Sequence, residues 1–303
     1  MLRKDVPPAS VTRLLFPERD VDYVHFADAR EHPFDPGAVG LSRVNAWWLA
    51  DASLLAYWDA DPASLIWNGA GLDFEPLSEP GGGTECHVAW TDAFAIIAYR
   101  GTQPDDWQDL FDIVRVGQVD WDAGTGRVHG GFREAFEQIW PQVAARLMAL
   151  DPSRRAIWFT GHSLGGALAT LSMDRFPFAR GAYTVGSPMV GDREFVQAFD
   201  ARHAGRSFRY VNHRDVVTRV PPTLPFVGEY EHVSQHRYID GHGTVSNAVP
   251  APMDVAALVP AVQDLLSGVD PDDVGGAPLP DMLVDHTAVR YAVHLWNDYI
   301  DHQ

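Results

Sequence analysis

Cysteine is almost absent: Cys86 is the one thiol in 303 residues, which excludes an internal disulfide and a thiolate metal cluster. Cations are scarce as well. The chain has 23 Lys and Arg against 41 Asp and Glu, a formal net charge of -18. That balance argues against sequence-independent binding of nucleic acid, which needs basic side chains to displace counterions from phosphates. It also disfavours docking on anionic lipid, where each basic residue near the surface contributes about 1 kcal/mol. No run approaches the ~18 uninterrupted apolar residues that a membrane span requires. Met1–Pro8 holds Arg3 and Lys4 with no apolar stretch behind them, so no secretory signal is read and a cytoplasmic location is expected. With 46% hydrophobic and 11% aromatic residues, the chain can build a large core.

No internal repeat or low-complexity block interrupts the sequence. Residues 1–44 are rich in Pro, Asp and Arg and read as an N-terminal arm, with one domain expected over 45–303. Trp47, Trp48, Leu54, Leu55 and Trp58 suit a buried helix. Phe94–Tyr99 is a continuous apolar strand, and Ala156–Thr160, Ala182–Gly186 and Ser207–Val211 are three more. Between them, Phe136, Trp140, Val143 and Leu147 form a helical stripe, with Pro141 expected to start or kink that helix. Strand and helix alternate through the middle of the chain, which predicts an α/β domain with a mostly parallel central sheet flanked by helices. Residues 221–285, with many Pro, Gly and Asp, read as an excursion from the sheet. It holds one amphipathic stretch, Val255 to Leu266, and an acidic cluster, Asp270-Pro271-Asp272-Asp273.

Gly161-His162-Ser163-Leu164-Gly165 fits the pattern G-x-S-x-G. The pattern alone is modest, but a strand runs directly into it and Gly166-Ala167-Leu168-Ala169 opens a small-residue helix after it. That is the strand–turn–helix setting of a nucleophile elbow, where the flanking residues must be nearly free of side chain. A serine at a helix N-terminus also sits where N–H groups and the dipole favour a developing oxyanion.

A serine hydroxyl needs an imidazole to take its proton, and the imidazole needs a carboxylate to hold its tautomer. Asp215 follows the strand around Ser207–Val211 and is the preferred acid, ahead of Asp192, Asp200 and Asp240. Eight histidines follow Ser163, and spacing leaves His286, His242 and His236 open as the base. Leu164, the residue after the nucleophile, supplies one oxyanion N–H, and Thr102, after the strand Phe94–Tyr99, is the natural second donor. Trp107, Leu110, Phe111 and Val114 form one helical face; such a stripe normally packs on the core, and beside Thr102 it also suits a lid over an apolar acyl site.

Six segments together resemble the class 3 lipases, the family of the fungal triacylglycerol lipases and their bacterial and plant relatives. They are Ile96–Thr102, Val128–Phe132, Thr160–Ala169, Val185–Asp192, Tyr210–Val217 and Asp285-His286, in the family's order within roughly Asn45 to Trp296. The resemblance implies an α/β-hydrolase fold with Ser163 as nucleophile, Asp215 as orienting acid and His286 as base. It puts Thr102 and Leu164 at the oxyanion hole, and a lid segment with substrate contacts near Trp107, Leu110 and Phe111. His232 and His236 then fall in a segment between acid and base and take structural roles. The secreted fungal members carry signal sequences and disulfides, and this chain shows neither.

The reading is therefore a serine hydrolase acting on carboxylic esters of acylglycerols or similar lipids, with no cofactor and no metal. Its partners are the lipid ester itself and transient contact with a lipid interface, with no nucleic acid. A phospholipase A1 or short-chain carboxylesterase is the alternative within enzymes, and an inactive lipase-like binding scaffold is the rival outside them. Surplus acid tilts the substrate toward neutral esters.

Overall fold

A computed structural model describes residues 2–8, 10–19, 22–81, 83–101, 116–221, 228–253 and 280–303. The described chain opens with helices α1 (Val11–Leu15), α2 (Arg43–Leu55) and α3 (Ala60–Gly69), then strands β1 (Asp73–Ser78), β2 (Glu85–Trp90) and β3 (Phe94–Tyr99). A small hairpin, β4 (Gln118–Asp120) with β5 (Arg127–His129), leads into α4 (Gly130–Ala149). The alternating part follows: β6 (Ala156–His162), α5 (Leu164–Arg175), β7 (Ala179–Val185), α6 (Arg193–His203) and β8 (Ser207–Asn212). It closes with β9 (Gln235–Ile239), β10 (Val245–Ser246), α7 (Asp281–Val284) and α8 (Ala288–Asp301).

Eight strands form one sheet in the order β1-β2-β3-β6-β7-β8-β9-β10. Neighbours from β3 through β9 are parallel, while β1, β2 and β10 join antiparallel. The parallel strands read as continuous apolar runs because both faces are covered. Alternate residues still part to opposite sides: Trp158 packs with Trp47, Trp48 and Trp296 of α2 and α8, whereas Ile157 and Phe159 pack with Phe132, Phe136 and Leu168 of α4 and α5. Each such side chain contributes about 1.5–3 kcal/mol when fully buried. β1 escaped the sequence reading because it is an edge strand, half exposed and carrying Pro76, which an edge tolerates.

Pro141 departs from expectation, since it lies inside α4 instead of starting it. Pro141 itself is exposed, on the solvent side of the helix. Five buried side chains on the other face (Phe132, Phe136, Ile139, Val143, Leu147) outweigh the ~3 kcal/mol that an interior proline costs.

The N-terminal segment is packed into the same core. Phe26 and Phe34 belong to the aromatic cluster around α2, and the buried Asp51 accepts from Phe26 N–H at 2.7 Å and from Tyr23 Oη–H. Lys4 N–H donates to Asn297 Oδ1 at 2.8 Å, and Asn297 Nδ2 returns a bond to Lys4 O at 2.9 Å. No described helix is long and apolar enough to cross a membrane.

Candidate active site

Parallel pairing brings the C-terminal ends of β3, β6 and β8 to one edge, where ligands of open α/β sheets bind. Tyr99 pairs with Gly161, His162 with Val185, and Val185 with Tyr210. The segments that leave this edge are Arg100-Gly101, Ser163 and Asn212–Asp215.

Ser163 occupies the turn between β6 and α5 with φ +57° and ψ -129°, a conformation that costs a residue with a side chain roughly 1–3 kcal/mol. The glycines make the turn fit. A Cβ on Gly161 would sit 2.2 Å from Gly165 backbone, and one on Gly165 would sit 2.3 Å from Tyr99 O. Ser163 N–H donates to Val185 O at 3.2 Å, and Ser163 Oγ is buried with no hydrogen-bond partner among the described residues. Leu164 is the first residue of α5, so its N–H has no acceptor within the helix.

Asp215 and His286 meet across 71 residues of sequence, both fully buried. His286 Nδ1 lies 2.9 and 2.8 Å from Asp215 Oδ1 and Oδ2. A carboxylate only accepts, which places the proton on Nδ1 and makes Nε2 the acceptor nitrogen of the ring. The pair lies beside the serine turn: the His286 and His162 rings are 4.4 Å apart between centroids. A Cβ on Gly186, next to the Val185 that holds Ser163, would meet both Asp215 Oδ2 and His286 Cε1 at 3.1 Å.

Further residues hold this pair, and the sequence reading missed them. Tyr291, on α8, donates its hydroxyl to Asp215 Oδ2 at 2.6 Å and accepts Asn212 N–H at 2.8 Å. Burial, with the charge of Asp215 beside it, pushes the Tyr291 hydroxyl well above its usual range, so it keeps its proton. Asn212 Nδ2 donates to Asp285 O at 2.9 Å, and Arg214 N–H donates to Asp285 Oδ2 at 3.1 Å. Val217 N–H completes the Asp215 shell at 2.9 Å. Tyr291 follows His286 by one helical turn and more, and only that position on α8 hinted at its part.

The rival acids have local duties: Asp192 caps α6 through Phe195 N–H, Asp200 accepts from Ser234 N–H, and Asp240 accepts from His242 and Thr244 N–H. Among the rival bases, His236 contacts Ala248 O at 2.9 Å and His242 is exposed on the turn after β9. His232 contacts Thr218 O at 2.6 Å. Thr102, Trp107, Leu110, Phe111 and Val114 lie outside the described residues, as do the stretch Val255 to Leu266 and the acidic cluster Asp270–Asp273. Among the described residues no group of three His, Cys, Asp or Glu is arranged to hold a metal ion.

Comparison with known proteins finds likeness to a lipase family over part of the chain. Residues 96–224 match the family model described as Lipase (class 3). A secreted mono- and diacylglycerol lipase 1 from Fusarium solani is 40% identical over 126 residues, covering 39% of this chain and 36% of the relative. Phospholipase A1-II 6 of Oryza sativa subsp. japonica is 32% identical over 170 residues, covering 44% and 41%. The chain thus spans about two fifths of the length of these curated relatives. In fold it resembles lipase II from Rhizopus niveus, with a TM-score of 0.54 at 24% identity over 74% of this chain and 92% of that one.

The cytoplasmic expectation is corrected by these relationships: the Fusarium relative is secreted by its own name, which points to an extracellular location. Cysteine scarcity carried no weight there, because the one thiol, Cys86, is a buried core residue and such a residue suits either redox compartment. The mostly parallel sheet with helices on both faces is an α/β-hydrolase fold shared with fungal lipases, and within it residues 96–224 are similar to the class 3 lipase family.

Proposed function

We propose that this protein is a serine hydrolase that cleaves carboxylic ester bonds of acylglycerols or similar lipid esters, with Ser163 as nucleophile, His286 as base and Asp215 as orienting acid. The buried Asp215–His286 pair beside a serine at φ +57° carries the reading. In this scheme Ser163 Oγ attacks the ester carbonyl while His286 Nε2 takes its proton, and Asp215 steadies the imidazolium. The tetrahedral oxyanion is stabilised by N–H groups of Leu164 and Thr102. Collapse expels the alcohol, which receives the proton from His286. Water, deprotonated by His286, then attacks the acyl-enzyme and releases a carboxylate and free Ser163. Trp107, Leu110 and Phe111 are the proposed lid and substrate contacts.

The name of the Fusarium relative favours acylglycerols, and a net charge of -18 favours neutral esters over anionic phospholipid. The rice relative's name supports phospholipase A1 activity as the second reading. Hydrolysis of emulsified diacylglycerol, phosphatidylcholine vesicles and 4-nitrophenyl butyrate, measured side by side, separates these readings. Diacylglycerol is expected to be cleaved fastest; a preference for phosphatidylcholine or for the short soluble ester overturns the acylglycerol assignment. Fluorophosphonate should label the native protein and leave Ser163→Ala unlabelled. An unlabelled native protein would leave the fold as an inactive scaffold.

A further inference from the structure

One hydrogen-bond chain crosses the site without touching Ser163 Oγ, and its proton order is fixed at both ends. His162 Nε2 lies 2.7 Å from His286 O, and a carbonyl only accepts, so Nε2 carries a proton. His162 is fully buried, and burial reinforced by the neighbouring His286 holds its pKa well below the usual histidine range, so the ring is neutral and Nδ1 is an acceptor. Tyr57 Oη, 2.8 Å from Nδ1, must then be the donor. On its other side Tyr57 Oη lies directly against Gly101. Gly101 is needed there, because a Cβ would lie 2.0 Å from Tyr57 Oη and 2.9 Å from His162 O.

The chain therefore runs from Tyr57, packed against Gly101, to His162 and on to the carbonyl of His286. Its first member abuts the residue that precedes Thr102 in sequence, and its last is the residue carrying the base. We propose that Tyr57 and His162 are positioning residues that hold the oxyanion segment and the base loop at a fixed separation, with His162 kept neutral in the Nε2–H form. This rests on the ester-hydrolase reading of Ser163 and His286. Neutrality matters to that chemistry: the His162 and His286 rings stand 4.4 Å apart, and a cation on His162 would oppose the imidazolium forming on His286. Neither residue reaches the reacting atoms in this scheme; each acts through the backbone it holds.

The test combines kinetics with a readout that needs no activity. His162→Ala should lower kcat for the best ester about tenfold or more with KM changed less than about twofold, since the loss falls on the transition state. His162→Gln, which keeps an N–H at the Nε2 position for His286 O, should recover part of that loss. Tyr57→Phe should cost less than His162→Ala, and the double variant should cost no more than His162→Ala alone, because both act through one chain. An unchanged kcat in a folded His162→Ala, a loss confined to KM, or multiplicative effects in the double variant overturn the proposal. Nitrogen-15 NMR of histidine-labelled native protein at pH 7 should show protonated Nε2 and bare Nδ1 for His162, and a charged ring or the Nδ1–H form overturns it without any assay. If native protein hydrolyses no ester, the functional reading fails, and the NMR result still decides the proton order.

Discussion

His87 offers a quantitative test of the packing on the face opposite the elbow helix. Its ring, on β2, is buried, and Nδ1 accepts Trp67 Nε1–H at 3.3 Å. A second proton would set Nδ1–H against the indole N–H, inside a site where Phe74 already packs edge-on at 4.8 Å. Burial, then, with the Arg100 charge adding to it, holds the imidazole down at about 3 from its ordinary 6.5. Between these values the unfolded chain binds a proton that the folded chain refuses, so stability falls as pH falls through that window and is flat above it. At about 1.36 kcal/mol per unit, the loss from this one residue between pH 7 and pH 4.5 is about 2.5 kcal/mol. His87→Gln removes the titration while keeping an amide of similar reach. The variant should lose about 1–2 kcal/mol at pH 7 through imperfect hydrogen bonds. Urea unfolding followed by tryptophan fluorescence, extrapolated linearly at each pH, measures both proteins. The gap should close by about 2.5 kcal/mol at pH 4.5, leaving the variant as stable or more stable. His25, held at about 3, and His294, held at about 4, shift both proteins alike and cancel in the comparison. A gap that is constant to within about 0.5 kcal/mol at the two pH values would falsify the assignment of His87 as a neutral core residue that accepts the Trp67 N–H.

The elbow and its supports give three more expectations. Ser163→Gly should abolish ester hydrolysis yet raise stability by about 1 kcal/mol in thermal unfolding, because glycine adopts φ +57° without strain; a lower Tm would mean the turn is relaxed. Gly165→Ala forces a Cβ to within 2.3 Å of Tyr99 O, so β3 and α5 must separate, and the variant should lose about 3 kcal/mol or more or fail to accumulate as soluble protein. A stable Gly165→Ala protein would show that the two elements have slack. Tyr291→Phe leaves Asn212 N–H without its acceptor and removes one of the two donors to Asp215 Oδ2, which should cost about 1–3 kcal/mol and depress kcat more than KM; equal activity would make the hydroxyl dispensable.

The central strands were legible because they are buried on both faces: Phe94–Tyr99 was bounded correctly, and the runs at Ala156, Ala182 and Ser207 fall within β6, β7 and β8 or a residue beyond. The rim was not. β1 and β9 are half exposed, and their Glu, Pro, His and Arg residues hide the period of a strand. At the site, Ser163 was legible because the glycines around it answer to sterics that act within a few residues. The choice among histidines was not, because the meeting of His286 with Asp215 depends on a return over 71 residues that spacing does not encode. Tyr57, His162 and Tyr291 were missed for a related reason. The x position of G-x-S-x-G accepts many residue types, so His162 drew no attention until its ring was seen between a tyrosine and a carbonyl.

The two ends of the excursion are tied directly to each other. Asn212 and Arg214 bond Asp285 across more than seventy residues, and Tyr291 reaches back to Asp215 from α8. The described hydrogen bonds to the Asp215 carboxylate come from Val217, His286 and Tyr291, at the two ends of this stretch. Closing a loop costs only about 0.6 kcal/mol for each doubling of its length. Residues 240–253 are bound to the sheet through β10 and the contacts of Ala248 and Ala251, so they belong to the fold. Exchanging residues 254–279 for a relative's would leave every one of these bonds and the Asn212–Asp285 clamp in place, so length and sequence there are free to vary independently of the clamp.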